Sequence, residues 1–225
     1  MNFVAQAWAV LALVIASSGC GQKPGQQGSV GSITWTINNL EREGEPAIII
    51  GSPKVIETPY GKAELFNGTD DGLLVNANPL AGAGTFTVEA IFRPDAGGGK
   101  EQRWLHIQEE TGDNRILLEI RLTSTKWFLD TFIKSGDQNR TLYAENFKHA
   151  AGEWYHVALV YDGIAMRHYV DGKEELSGPL SIATLGRGRT SIGVRMNRMY
   201  WFKGAILKAR FTPRALSPQE FMEKK

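Results

Sequence analysis

The sequence predicts an all-β chain, an antiparallel β-sandwich or barrel with one short C-terminal helix. Three observations carry that prediction. Short segments rich in β-branched and aromatic residues recur along the chain, each bounded by Gly, Asp, Asn or Pro. Glycine and proline are plentiful, at 25 and 9 residues, as many turns require. Asp171-Gly172 separates Arg167–Val170 from Lys173–Leu176, a hairpin signal because a type I′ turn needs positive φ at both central residues.

The elements follow in order. Thr85 to Arg93 alternates Phe86, Val88, Ala90 and Phe92 with Thr87, Glu89, Ile91 and Arg93. Arg103 to Gln108 sets Trp104, His106 and Gln108 opposite Leu105 and Ile107. In Arg115 to Leu122, Leu118 and Ile120 point to the core while Glu119 and Arg121 share the other face with Leu117. Strands are also expected at Lys126 to Ile133, Trp154 to Tyr161, Met166 to Val170, Thr190 to Asn197 and Tyr200 to Phe211. Ser217 to Lys224 reads as a helix, with Ser217 as N-cap, Pro218 at the first helical position and Glu220 completing a capping box.

Composition narrows the function classes. The chain has 225 residues, 42% of them hydrophobic, enough to bury a full core. Twenty-five Lys+Arg against 24 Asp+Glu leave a formal charge of +1, which gives no electrostatic case for a nucleic-acid partner. No apolar run approaches the roughly 20 residues of a membrane span. The single cysteine excludes an internal disulfide and a multi-cysteine zinc site. That residue, Cys20, follows the apolar run Ala7 to Ala16 and the small residues Ser17, Ser18 and Gly19. The arrangement is similar to the lipobox of bacterial lipoproteins, although Ser17 replaces the usual Leu-like residue and no Lys or Arg precedes the run. Residues 1–20 are therefore expected to form a signal peptide with lipidation at Cys20. Residues 21–32 read as a flexible linker and 33–225 as one domain. The expected location is exported and membrane-anchored, with contact to the membrane through the lipid alone.

From about Ala63 onward a family pattern emerges. Glu64 to Leu73 (ELFNGTDDGL) resembles the F-D-G-x-D-D strand and turn of laminin-G-like domains in the concanavalin A-like lectin/glucanase superfamily. Thr85 to Glu89 with Arg93-Pro94, Gly152 to Ala158 (GEWYHVA), Tyr169 to Gly172 (YVDG), Phe202 to Ile206 (FKGAI) and Arg214 to Glu220 (RALSPQE) are similar to further motifs of that family, in family order. The resemblance implies a jelly roll of two curved antiparallel sheets whose concave face often binds carbohydrate. It also implies a calcium at the sandwich rim, for which Asn67, Asp70 and Asp71 are the candidate ligands. The partner loop departs from the pattern, because Gly204-Ala205-Ile206-Leu207-Lys208 carries Leu and Lys where acids would sit. A polar turn is the alternative reading of Asp70 and Asp71. No other cofactor is implied.

If the strands around Arg103, Glu119, Trp154 and Ser191 form the concave sheet, His106, Glu119, Arg121, His156, Arg195 and Asn197 line one polar groove. Trp104 and Trp201 would edge it. Such a surface suits sugars, since hydroxyls bond to Arg, Asn and carboxylates while C–H faces stack on indole rings. Arg121, Glu119 and Arg195 are the expected anchors, His156 and Asn197 secondary, and Trp201 the stacking surface. On this view Arg121 is solvent-facing and its removal leaves folding intact. The alternatives are a cross-strand Glu119–Arg121 ion pair, a structural His156, and Trp35, Trp127 and Trp154 as core. A His106/His156/Glu119 metal site has ligand chemistry but lacks spacing support.

The sequence lacks G-x-S-x-G, P-loop, G-x-G-x-x-G and H-E-x-x-H motifs and the paired-carboxylate strand of superfamily glucanases. The expected function is a carbohydrate-binding or adhesion module without catalysis. The alternatives are a glycan hydrolase or lyase using Glu119 with His106 or His156, and a protein–protein adhesion module of the cell envelope.

Overall fold

The computed structural model describes Met1 and residues 31–224. The expected signal peptide, Cys20 and nearly all of the expected linker lie outside the described residues. Sixteen strands follow one another, starting with β1 (Ile33–Thr36), β2 (Ala47–Ile50), β3 (Lys54–Thr58), β4 (Gly61–Asn67), β5 (Gly72–Val75) and β6 (Phe86–Pro94). The middle of the chain forms β7 (Glu101–Glu109), β8 (Arg115–Thr123), β9 (Lys126–Ser135), β10 (Gln138–Tyr143) and β11 (His149–Ala150). The remainder forms β12 (Tyr155–Tyr161), β13 (Ala165–Val170), β14 (Lys173–Pro179), β15 (Gly188–Ile192) and β16 (Lys203–Thr212).

These strands make two antiparallel sheets. The first has the order β14-β13-β12-β6-β16-β4-β3, with β1 added beside β16. The second runs β10-β9-β8-β7-β15-β5-β2, with β11 beside β9. The inner faces meet in one apolar core in which the Phe92 ring lies 4.9 Å from Trp104 and 5.3 Å from Trp127. Trp35, Phe66, Phe202 and Phe211 fill the same layer, as the expected alternation of large apolar residues requires. The Asp171-Gly172 hairpin closes as expected, with φ of 48° and 76°.

Three expectations change and one element is new. In β7 the register against β8 shifts between Arg103 and Leu105, a bulge that turns Trp104 into the core and leaves Arg103 on the outer face. The strand expected over Thr190 to Asn197 ends at Ile192, and 193–202 is a loop. The C-terminal helix reduces to a 3-10 turn, Pro218–Glu220, even though Glu220 does accept the Ser217 N–H at 2.9 Å. Phe221 leaves the turn with extended backbone because the chain is drawn onto the first sheet, as described below. A 3-10 segment at Ile37–Glu43 packs Ile37 and Leu40 into the core and was not foreseen. Among the described residues no helix is long and apolar enough to cross a membrane.

Candidate functional site

The outer face of the second sheet carries a cluster of opposite charges set by strand register. Glu119 on β8 lies opposite Arg103 on β7 and Asp130 on β9. Glu101 on β7 lies opposite Arg121 on β8. Arg103 reaches Glu119 at 3.0 Å and Glu101 at 2.9 Å. Arg121 donates from Nε to Asp130 Oδ2 at 2.7 Å, lies 2.5 Å from Glu101 and 3.7 Å from Glu119. The guanidiniums of Arg103 and Arg121 also lie over Tyr200 and Tyr143, at 3.8 and 5.7 Å from the ring centres. Burial first, and the Asp130 carboxylate second, push Glu119 up to about 7 against the pull of Arg103 and Arg121. Burial likewise raises Asp130 despite its bond from Arg121, and Asp130 Oδ1 is buried with no partner.

Above this cluster is a cavity of about 230 Å³, lined by the outward residues of β8 and β9 together with Arg103 and Arg195. Arg195 comes from the loop after β15, and that loop is firmly built. Gly193 has φ +79°, and a Cβ there would lie 2.4 Å from the Phe66 ring, so only glycine fits. Its N–H bonds to the Trp104 carbonyl at 3.0 Å, and Met196 N donates to His106 Nδ1 at 3.0 Å. The latter bond places the neutral His106 proton on Nε2, which is buried without a partner. Burial, with help from Arg195, Arg115 and Arg103, lowers His106 to about 3, so the ring is neutral at pH 7.

The second depression on this face, about 420 Å³, is lined by Gly68, Gly99, Lys100, Glu101, Tyr200 and Trp201. It adjoins the first through Arg103, which bonds Glu101 and covers Tyr200. The structure therefore brings together Glu119, Arg121 and Arg195 in one cavity, with His106 beneath the same guanidiniums and Trp201 in the neighbouring hollow. Asn197 is exposed on the loop, with Nδ2 3.5 Å from Met199 Sδ, and does not line the cavity. Trp104 is in the core and edges nothing.

His156 is not in this groove. Its strand, β12, belongs to the first sheet, so His156 can meet neither Glu119 nor His106. It donates from Nε2 to Glu89 Oε1 at 3.0 Å, on the far side of the molecule. Glu89 also accepts from Arg210 Nε at 2.6 Å and from Met222 N at 2.7 Å. Phe221 packs 5.3 Å from the His156 ring and 5.2 Å from Tyr169, which is why the C-terminal turn stops where it does. Burial pushes Glu89 up, but the bonds from His156, Arg210 and Met222 outweigh it and hold the carboxyl below its usual value. Of the three tryptophans expected in the core, Trp35 and Trp127 are there; Trp154 is half-buried on this outer face.

Asn67, Asp70 and Asp71 form a tight polar turn. Asn67 Oδ1 accepts the N–H groups of Thr69, Asp70 and Asp71, and Asn67 Nδ2 donates to Asp70 at 2.6 Å. Both Asp71 oxygens accept backbone N–H groups, from Ser52 and Asn67. Lys54 and Lys203 line the same cavity. Calcium wants six to eight oxygens, and a set whose oxygens already serve the backbone beside two lysines does not fit it. No group of three or more His, Cys, Asp or Glu among the described residues is arranged to hold a metal.

Arg103, Glu101, Asp130 and Tyr200 were not foreseen at this site. Asp130 was legible as a charge between Phe128 and Phe132, whereas Arg103 was hidden by the bulge that reverses its face.

The sequence pattern of the Laminin_G_3 family, of the concanavalin A-like lectin/glucanases superfamily, matches residues 67–221, more than half of the chain. The chain belongs to that family. Among solved structures, this Laminin_G_3 domain is similar to domain 4 of AbnA, a GH43 extracellular arabinanase from Geobacillus stearothermophilus in complex with arabinotriose. Identity is 19% and TM-score 0.61, covering 78% of this chain and 85% of that one. The binding domain of Paraclostridial Mosquitocidal Protein 1 aligns at 13% identity and TM-score 0.61, over 80% of this chain and 47% of its own. The binding domain of botulinum neurotoxin DC, in complex with SialylT, aligns at 10% identity and TM-score 0.54, over 78% of this chain and 44% of its own. The chain thus spans about half the length of the toxin domains. No curated protein matches it in sequence.

Proposed function

We propose that this Laminin_G_3 domain binds carbohydrate, without catalysis, on the outer face of its second sheet. The observation that carries the reading is the cavity of Arg103, Arg115, Glu119, Arg121, Asp130 and Arg195, with a second hollow lined by Tyr200 and Trp201 on the other side of Arg103. Guanidiniums and carboxylates offer directional bonds to hydroxyls, and the neighbouring aromatic rings offer a stacking surface for a second sugar. At about 230 Å³ the charged cavity is smaller than a drug-sized pocket and suits a single ring. The neighbours with bound arabinotriose and SialylT support glycan as the ligand class. Export and anchoring through lipidated Cys20 complete the proposal, resting on the apolar run and small residues before that cysteine. A glycan array of the full chain tests the binding; silence across bacterial, algal and plant polysaccharides rejects it. Mass spectrometry of the membrane fraction tests the lipid on Cys20.

One observation favours a second reading, an acid catalyst. Glu119 holds its proton up to about pH 7, as a general acid should, and Asp130 stands beside it. Against it, Glu119 and Asp130 sit on adjacent strands of one face, both bonded to arginine, whereas glycosidase carboxylates flank the scissile bond. Turnover of a polysaccharide that is lost in Glu119→Gln with folding intact establishes the catalyst.

A further inference from the structure

The ion pairs around the cavity leave one cation over. Glu101 and Glu119 are shared by Arg103 and Arg121, and Asp130 is bonded by Arg121. Asp113 is shared by Arg115 and Lys134. Of the four arginines that line the cavity, Arg103, Arg115 and Arg121 are held in these pairs and Arg195 is not. Among the described residues Arg195 has no ion pair and no side-chain hydrogen bond, yet it is half-buried and lines the cavity.

The loop that presents Arg195 is held in a costly shape. Arg198 and Tyr200 have φ of 59° and 63°, left-handed positions that residues with side chains rarely adopt. Four backbone bonds keep them there: Arg195 N to Met199 O, Arg198 N to Arg195 O, Phe202 N to Gly193 O and Arg103 N to Tyr200 O. Strain of this kind persists where surrounding structure enforces it, and it fixes the backbone from which Arg195 reaches the cavity. An unpaired guanidinium lining a cavity is a fork for a planar or tetrahedral oxyanion, which it holds through two parallel N–H bonds.

We infer that the glycan taken by this site is an anionic one, its charged substituent held by Arg195. The inference rests on the carbohydrate-binding reading and adds the ligand's charge. The shared chemistry is an oxyanion on a sugar ring, either a uronate carboxylate or a sulfate ester.

The test uses the full chain and matched polymers. Polygalacturonate is compared with its fully methyl-esterified, neutral form, and a sulfated galactan with its desulfated backbone, by titration calorimetry. The expected result is binding of a charged polymer at least about tenfold tighter than its neutral counterpart, weakening as salt rises. Which charged polymer binds identifies the oxyanion. Arg195→Ala lowers that affinity by about tenfold or more, Arg195→Lys recovers part of it, and neither shifts the melting temperature. Arg187→Ala removes the same charge outside the cavity and leaves affinity unchanged. Equal affinity for charged and neutral forms, or full affinity in Arg195→Ala, overturns the inference while leaving carbohydrate binding in place. Binding to no polymer, charged or neutral, rejects the carbohydrate reading itself.

Discussion

The two outer faces of the sandwich each bury a glutamate among arginines, and they treat it oppositely. On the first sheet, Glu89 has a fully buried side chain and receives His156, Arg210 and the Met222 N–H. On the second, Glu119 is nearly as buried, at 4% exposure, yet its direct bond is from Arg103 alone and Asp130 stands against it. One carboxyl is held below its usual value and the other is raised to about 7. Burial is nearly equal, so the partners decide the sign. The chain's own C-terminal residues complete the first network, with Phe221 laid over His156 and Tyr169. Nothing in the described chain completes the second, where Arg195 and Asp130 Oδ1 are left without partners. Similar residue types make a structural lock where the chain closes over them and a candidate site where it does not.

The largest effect that would break this contrast is at the lock. Glu89→Ala strands a histidine, a guanidinium and a backbone N–H, and should cost about 3 to 5 kcal/mol. For a domain of this size that lowers the melting temperature by at least about 6 °C, read by calorimetry. A loss under about 1 kcal/mol would mean the first face is no more committed than the second.

The pH dependence of stability separates the two glutamates next. Folded Glu119 keeps its proton up to about pH 7, while the unfolded chain releases it near the ordinary glutamate value of 4.5. The folded state therefore binds more protons across that window, and the stability Glu119 contributes below pH 4.5 is lost as pH rises through 7. Relative to Glu119→Gln, the parent protein should lose about 3 kcal/mol between pH 4.5 and 8, measured by urea unfolding at each pH. A constant difference across that range would place Glu119 in an environment as well satisfied as that of Glu89.

Arg121→Ala should cost about 2 to 3 kcal/mol, because it leaves the buried Asp130 carboxyl without its bond. That replaces the expectation that removing Arg121 leaves folding intact, and makes this substitution a poor probe of binding. The smallest expected change in stability is at Arg195. Its replacement by Ala should stay within about 0.5 kcal/mol of the parent, since no ion pair or side-chain hydrogen bond among the described residues is lost. A larger loss would assign Arg195 to the scaffold.

Much of this architecture was legible because period-2 alternation reports burial directly. Phe92, Ile120 and Val157 lie in the core, and Glu119 and Arg121 face out, as their strands predict. Alternation assigns a face but not a sheet, so His156 was grouped with residues on the other side of the molecule. It also fails at an inserted residue, which is how Trp104 was expected to edge the groove and lies in the core instead. The Ser-Pro-x-Glu signature at Ser217 describes a local preference correctly, since its capping contact forms. Tertiary contacts of Phe221 and Met222 then end the turn, and no local pattern records them. The loop strain at Arg198 and Tyr200 was invisible for the same reason: no residue type announces a left-handed arginine or tyrosine.

The pairing of β1 with β16 also sets an orientation. Ile33 lies opposite Phe211, and the Ser32 hydroxyl bonds that of Thr212 at 2.8 Å, so the described chain enters the sandwich on the first sheet. It also leaves there, across His156. The arginine cavity is on the opposite sheet. A bead or domain fused directly at Ser32 or after Lys224 therefore joins the molecule on the side of the first sheet, away from the cavity. Attachment and reception are assigned to different sides, so immobilising the protein by its ends leaves the cavity clear.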